Sequence, residues 1–185
     1  MDKLIVARWR DWAGESMEHA VIRAGERAIV VDSVLVSAGD SERFGVRYHL
    51  ECDPGWILRK AAIEVVGADS RIELNSDGRG CWTDGAGRRL SHLDGAIDID
   101  LSVTPLTNTL AIRRMGLAVG RARDIRAAYV RFPGLDATID PQRYTCLEGM
   151  RRYLYESLDS DFVREIEVDP DGLVVTYPGL FKRIQ

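Results

Sequence analysis

Side chains that titrate, ligate or attack fall into a few small groups along this chain. Asp98 and Asp100 stand two residues apart, as do Glu165 and Glu167. Residues at i and i+2 of a strand share one face, so each pair sets two acids side by side. A glycosidic bond is cleaved by two carboxyl groups that flank it across a cleft. Neighbouring acids on one strand describe a solvated face instead. Asn108, Arg113 and Arg114 form a second group, with donors suited to an anion or a sugar. His19, His49 and His92 are dispersed and make no HExxH or HxH pair, and Cys52, Cys81 and Cys146 make no CxxC. That spacing offers no metal site and fits reduced thiols. There is no GxSxG elbow and no dinucleotide fingerprint. The glycine-rich stretch 71–89 lacks the Gly-Lys-Ser/Thr and the following helix of a phosphate loop, so Asp77-Gly78 and Asp84-Gly85 read as turns. No catalytic residue, metal or cofactor is expected.

The elements that must position these groups are mostly strands. Val46, Tyr48, Leu50 and Cys52 alternate with Arg47, His49 and Glu51. Ile57, Ala61, Ile63 and Val65 share a phase that only Arg59 spoils. More than ten such strands at near-regular spacing predict an extended antiparallel meander, which must curl to bury one face and limit its edges. Tyr48, Tyr129 and Phe162 follow the apolar alternation and read as core. In Leu93–Met115 the alternation of Ile97, Ile99, Leu101 and Val103 with Asp98, Asp100 and Ser102 stops at Thr104-Pro105. Thr104 then serves as N-cap and Pro105 as first residue of a helix. Leu106, Leu110, Ala111 and Met115 make its apolar stripe, and Gly116 ends it.

A lone helix in a curled sheet has a place inside the concave face, as its plug. Enclosure makes Arg113 and Arg114 costly unless they are paired, and Asp98 and Asp100 lie just upstream. Two readings stay open. In one, the arginines reach the rim while the two aspartates face solvent. In the other, an anionic or sugar head group docks against Arg113 or Arg114 with Asn108, above a lining of Leu106, Leu110 and Met115.

The chain has 185 residues and a net charge of −4, which excludes the basic stripe of a dedicated nucleic-acid binder. The first apolar run, Leu4–Ala7, is far shorter than the apolar region of a signal peptide, and no window approaches a membrane span. These features predict one cytoplasmic domain over residues 1–185.

The blocks DGAIDIDLSVTPLTNTLAIRRMGL, VRFPGLDATIDPQRY, RYLYES and VDPDGLVVTYPGLFKR together resemble the bacterial putative glycolipid-binding family. VRYHLECDPGWILRKAAIEV and RWRDWAGESMEH fit it more weakly. The resemblance implies a mainly β fold, a spiral β-roll of about fifteen antiparallel strands around a single α-helix. It implies a possible lipid or glycolipid ligand and a homodimer, and supplies no catalytic residues. Related half-barrel carriers work outside the cytoplasm, so a lipid held here would be intracellular or a precursor. Three functions follow as expectations: a non-catalytic binder of an amphipathic ligand held between sheet and helix, a structural or regulatory dimer without a ligand, and a hydrolase acting on lipid-linked sugars. The last requires two acids from different strands in one cleft, at least one with a shifted titration.

Overall fold

The computed structural model describes residues 3–38 and 43–184. Seven strands come first: β1 (Lys3–Asp11), β2 (Met17–Ala24), β3 (Ile29–Ala38), β4 (Arg43–Cys52), β5 (Leu58–Val66), β6 (Arg71–Ser76) and β7 (Trp82–Asp84). A 3-10 turn at Ser91–Leu93, β8 (Asp98–Leu101) and α1 (Leu106–Met115) follow. The chain then returns through β9 (Ala122–Arg131), β10 (Asp136–Glu148), β11 (Arg152–Ser157), β12 (Val163–Val168), β13 (Val174–Tyr177) and β14 (Phe181–Ile184). Because β14 pairs with β1, the two meanders join into one sheet of fourteen strands, in the order 7-6-5-4-3-2-1-14-13-12-11-10-9-8. Among the described residues α1 is the one α-helix, and no helix is long and apolar enough to cross a membrane.

The expected mainly β sheet wrapped around one helix is what forms, with two differences in detail. First, β8 runs parallel to β9, because α1 is the crossover between them. Second, β10 runs through Pro141 as a single strand. Proline has no N–H to give, and Pro141 sits just where β10 outruns β11, its carbonyl accepting only Leu158 N–H at 2.8 Å. The misfit of Arg59 has a local cause as well. The register of β4 against β5 shifts between Glu51 and Cys52, so that Cys52 faces Leu58 and Glu51 faces Lys60. This bulge turns Leu58 inward and frees Arg59 to bind Asp53 at 2.6 Å.

The helix divides the interior. Leu106 and Leu110 join the larger core, with Trp9, Leu50, Trp82 and Ile99, while Ala111 and Ile112 join a smaller one with Tyr144, Tyr153 and Ile166. Every residue from Leu106 to Ile112 is buried, including Thr107, Asn108 and Thr109, so the helix is enclosed rather than amphipathic. Gly116 ends it with φ 53°, its N–H returning to the Ile112 carbonyl. The last strand of the first meander is covered by the segment that leads to β8. Trp82 Nε1 donates to the Ala96 carbonyl at 2.8 Å, and Gly95 N–H to the Gly80 carbonyl at 2.9 Å. This closes an edge that would otherwise present open backbone groups.

Candidate functional site

β8 is buried on both faces, and that sets the chemistry of the roll. Ile99 and Leu101 point into the larger core, so Asp98 and Asp100 point the other way, at the helix. The expectation of solvated aspartates is corrected here, because alternation marks a solvent face only where the second face is uncovered. β9 lies between β8 and β10. Its register sets Asp98 and Asp140 on either side of Ala127, with Asp100 beside Tyr129, so three acids share one inner face.

Asp98 is 3% exposed and takes two hydrogen bonds from Arg114, Nε at 2.7 Å and Nη2 at 2.6 Å. The bidentate pair offsets the desolvation of both charges and ties the last turn of α1 to β8. Asp100 accepts Thr107 Oγ1 at 2.9 Å and Gln142 Nε2 at 2.8 Å, and the same Gln142 nitrogen donates to Asp140 at 2.7 Å. Burial pushes Asp100 up to about 6, with the Asp140 and Asp98 carboxylates adding to the rise against the pull of Thr107 and Gln142. Burial raises Asp140 too, and nearby Asp159 adds to it. Among the described residues no cation pairs with Asp100 or Asp140 within 4 Å.

These two acids open onto a pocket of about 390 Å³ at the N-terminal end of α1. Asn108 also lines the pocket, its Nδ2 donating to Tyr144 Oη at 2.8 Å. Aromatic rings line the pocket as well, and the Tyr155 hydroxyl hydrogen-bonds Asp140. Tyr155, Phe162 and Tyr177 stand 6.0–6.3 Å apart between ring centres, mostly edge to face, and Phe181 adds to the row. Burial raises the phenols of Tyr155 and Tyr177, which therefore stay neutral and present hydroxyls. Arg131 lines the pocket too, against Asp100, Asp140 and Asp159, so acceptors and aromatic rings share a site of net negative charge that suits a polyhydroxylated ring or an amine.

A second buried carboxylate stiffens the same end. Glu18 on β2 is 4% exposed and accepts hydroxyls from Ser33 (2.7 Å), Thr104 (2.6 Å) and Tyr48. Burial raises its titration, while the three hydroxyls pull it back down. Thr104 Oγ1 also accepts Leu106 N–H at 3.0 Å, so the predicted N-cap residue does bind the first helical turn, from one position further out.

The residues picked out from the sequence divide three ways. Asn108 lines the pocket. Leu106 and Leu110 are built into the core, and Met115 packs half-buried against the smaller one. Arg114 is held by Asp98, whereas Arg113 is exposed and lies over the Trp56 ring at 5.2 Å. Tyr129 lines the pocket rather than filling the core, Phe162 lines it while packing half-buried against the smaller core, and Tyr48 is core with its hydroxyl on Glu18. Sequence reasoning missed Glu18 and Gln142, yet both carry a signal. Glu18 is in phase with buried Ala20 and Ile22, and Gln142 with buried Tyr144 and Cys146. A larger concavity, about 1070 Å³, lies on the outward face of β2–β6. Part of its charge is paired across strands, since Asp32 binds Arg23 at 2.6 Å and His49 at 2.8 Å, and Lys60 binds Glu73 at 3.2 Å, while Arg47, Glu64 and Arg71 also line it.

A single sheet rolled about an enclosed helix, with a pocket where the helix begins, defines a helix-cored β-roll protein. The chain belongs to the putative glycolipid-binding family, which it matches over residues 6–183. A crystal structure of a DUF1089 family protein from Pseudomonas aeruginosa is similar at 37% identity and a TM-score of 0.79, over 90% of this chain and 92% of that one. No curated protein matches the chain.

Proposed function

We propose that this chain is a non-catalytic binding protein for an amphipathic ligand, taking a saccharide head group into the pocket at the start of α1. One observation carries the reading: two carboxylates without a cation partner, Asn108, and a row of tyrosine and phenylalanine line one pocket of about 390 Å³. Sugar hydroxyls bind carboxylate and amide oxygens, while the C–H face of a sugar ring packs on aromatic carbon. The family's description supports a glycolipid in particular. The charge of the pocket selects a neutral or amino sugar. The polar end of the ligand thus meets Asn108 and the aspartates, not the two arginines.

The acid pair also meets the sequence-based requirement for a hydrolase, since Asp100 and Asp140 come from different strands and both titrate high. Their arrangement favours binding. One oxygen of each lies within 2.8 Å of the same Gln142 nitrogen, so both grip one side of a guest instead of flanking a bond.

The test is calorimetric titration with alkyl glycosides, neutral and amino, below their micelle-forming concentrations. Native mass spectrometry of the freshly purified protein, with organic extraction of any adduct, accompanies it. Asp100→Asn removes a charged acceptor, at a cost of about 1.5–3 kcal/mol. Affinity then drops about ten- to 150-fold with the fold intact by circular dichroism. Failure of the wild type to bind any glycoside, or an unchanged Asp100→Asn, refutes the proposal.

A further inference from the structure

Where the apolar part of such a ligand goes is answered by the surface around the pocket. The helix fills the roll from Leu106 to Ile112, and the pocket holds a sugar-sized group, so long acyl chains stay outside its mouth. Strand register tells which side chains surround that mouth. β1, β3, β5 and β11 end there, and β2, β12 and β14 begin there, as the pairings Asp11 with Phe181, Met17 with Val36 and Gln142 with Ser157 establish. Of the eleven large apolar side chains that are exposed among the described residues, seven lie at this end: Trp12, Met17, Val36, Val66, Leu158, Val163 and Leu180. Leu180 lines the pocket itself, Leu158 lies between lining Ser157 and Asp159, and Trp12 N–H donates to the Leu180 carbonyl at 2.8 Å. Met17, Val36 and the Gly45–Val66 pair form one row across the outward face.

Exposed apolar residues scattered singly need no explanation, whereas a crown of them about a polar pocket marks a binding face. We infer that this end of the roll docks on a lipid bilayer, so that the pocket takes the head group of a membrane glycolipid whose acyl chains remain in the membrane. The inference rests on the saccharide reading of the pocket. Three features on the page favour a bilayer as the occupant over a second copy of the chain. Leu180, Leu158 and Trp12 border an opening that a partner subunit would plug. The exposed tryptophan suits the level of lipid head groups. The rim charges are mixed, with Arg10 and Lys182 on one side and Asp159 and Asp161 on another, so apolar contact supplies the attraction and neutral lipid suffices.

Trp12 is a built-in reporter, being 51% exposed while Trp9, Trp56 and Trp82 are at most 9% exposed. The experiment adds vesicles of phosphatidylcholine, with and without a monoglycosyl diacylglycerol, and follows tryptophan emission, quenching by brominated phosphatidylcholine, and flotation. The expected result is a blue shift with quenching, tightest with the glycolipid. Met17→Asp with Leu158→Asp lowers vesicle affinity at least tenfold and leaves affinity for a soluble alkyl glycoside within twofold. Trp12→Gln, read by flotation, gives the same loss if the double variant fails to fold. No vesicle binding while the soluble glycoside still binds overturns the docking face and spares the pocket. Vesicle binding that the double variant abolishes, but that ignores both glycolipid and Asp100→Asn, upholds the docking face and refutes the saccharide reading. An emission shift that tracks protein concentration and not lipid assigns the crown to a second copy, and overturns the inference.

Discussion

Arg113 and Arg114 are neighbours in sequence, and the fold gives them opposite energetic roles. Truncating Arg114 to alanine strands Asp98, which is 3% exposed, as a buried charge without its cation. Breaking one side of such a pair costs about 3–5 kcal/mol. With a urea slope of about 2 kcal/mol per molar, the midpoint drops by roughly 1.5–2.5 M. The melting temperature falls by about 6–20 °C, at 2–4 °C per kcal/mol for a chain of this size. Arg113 contributes one cation–π contact at 5.2 Å to Trp56 and keeps its head in water. Its removal costs about 0.5–1 kcal/mol, or roughly 0.25–0.5 M of urea. The assay is urea unfolding followed by far-ultraviolet circular dichroism. A third variant isolates the cause: Asp98→Asn added to Arg114→Ala removes the stranded charge and recovers part of the loss. Equal losses for the two arginines, or no recovery with Asp98→Asn, would refute the buried-pair argument.

Further expectations concern pH and closure of the roll. With Asp100 held up to about 6, glycoside affinity rises between about pH 5 and pH 7 as the acceptor charges, and Asp100→Asn flattens most of that rise; a flat wild-type profile contradicts the role. Glu18 titrates above its unfolded value of 4.5, so its contribution to stability is full below that value and is lost as pH rises through the folded one. The stability of the wild type relative to Glu18→Gln therefore declines as pH rises above about 4.5 in urea titrations, and a growing advantage would reverse the sign. Gly80 has φ 101°, and a Cβ there lies 2.9 Å from Gly95 Cα, so Gly80→Ala costs about 1–3 kcal/mol. Gly87→Ala, with φ 79° and open space, suffers the backbone strain alone; equal melting temperatures for the two would rule out the contact.

What was legible in the sequence was local. Val46, Tyr48, Leu50 and Cys52 announce their strand face and are all buried, and Thr104, Pro105 and Gly116 bracket the helix to within a residue. The character of the helix was not legible, because Thr107, Asn108 and Thr109 become interior only when the sheet wraps around them. Asp98 and Asp100 misled for the same reason: period-two alternation cannot tell water from a helix on the polar side of a strand. The acid pair of the pocket was least accessible of all. Asp140 reaches Asp100 through the pairing of β8 and β10 with β9, and such long-range register is specified by the whole sheet rather than by neighbouring residues.

The most direct test of the saccharide pocket is a crystal structure of the chain with a short-chain alkyl glucoside. The account predicts the sugar in contact with Asp100, Asn108 and the tyrosine–phenylalanine row, its alkyl chain leaving past Leu180 toward solvent. A glucoside bound instead on the outward face near His49 and Arg47, or an alkyl chain threaded between α1 and the sheet beside Leu106 and Leu110, would contradict it.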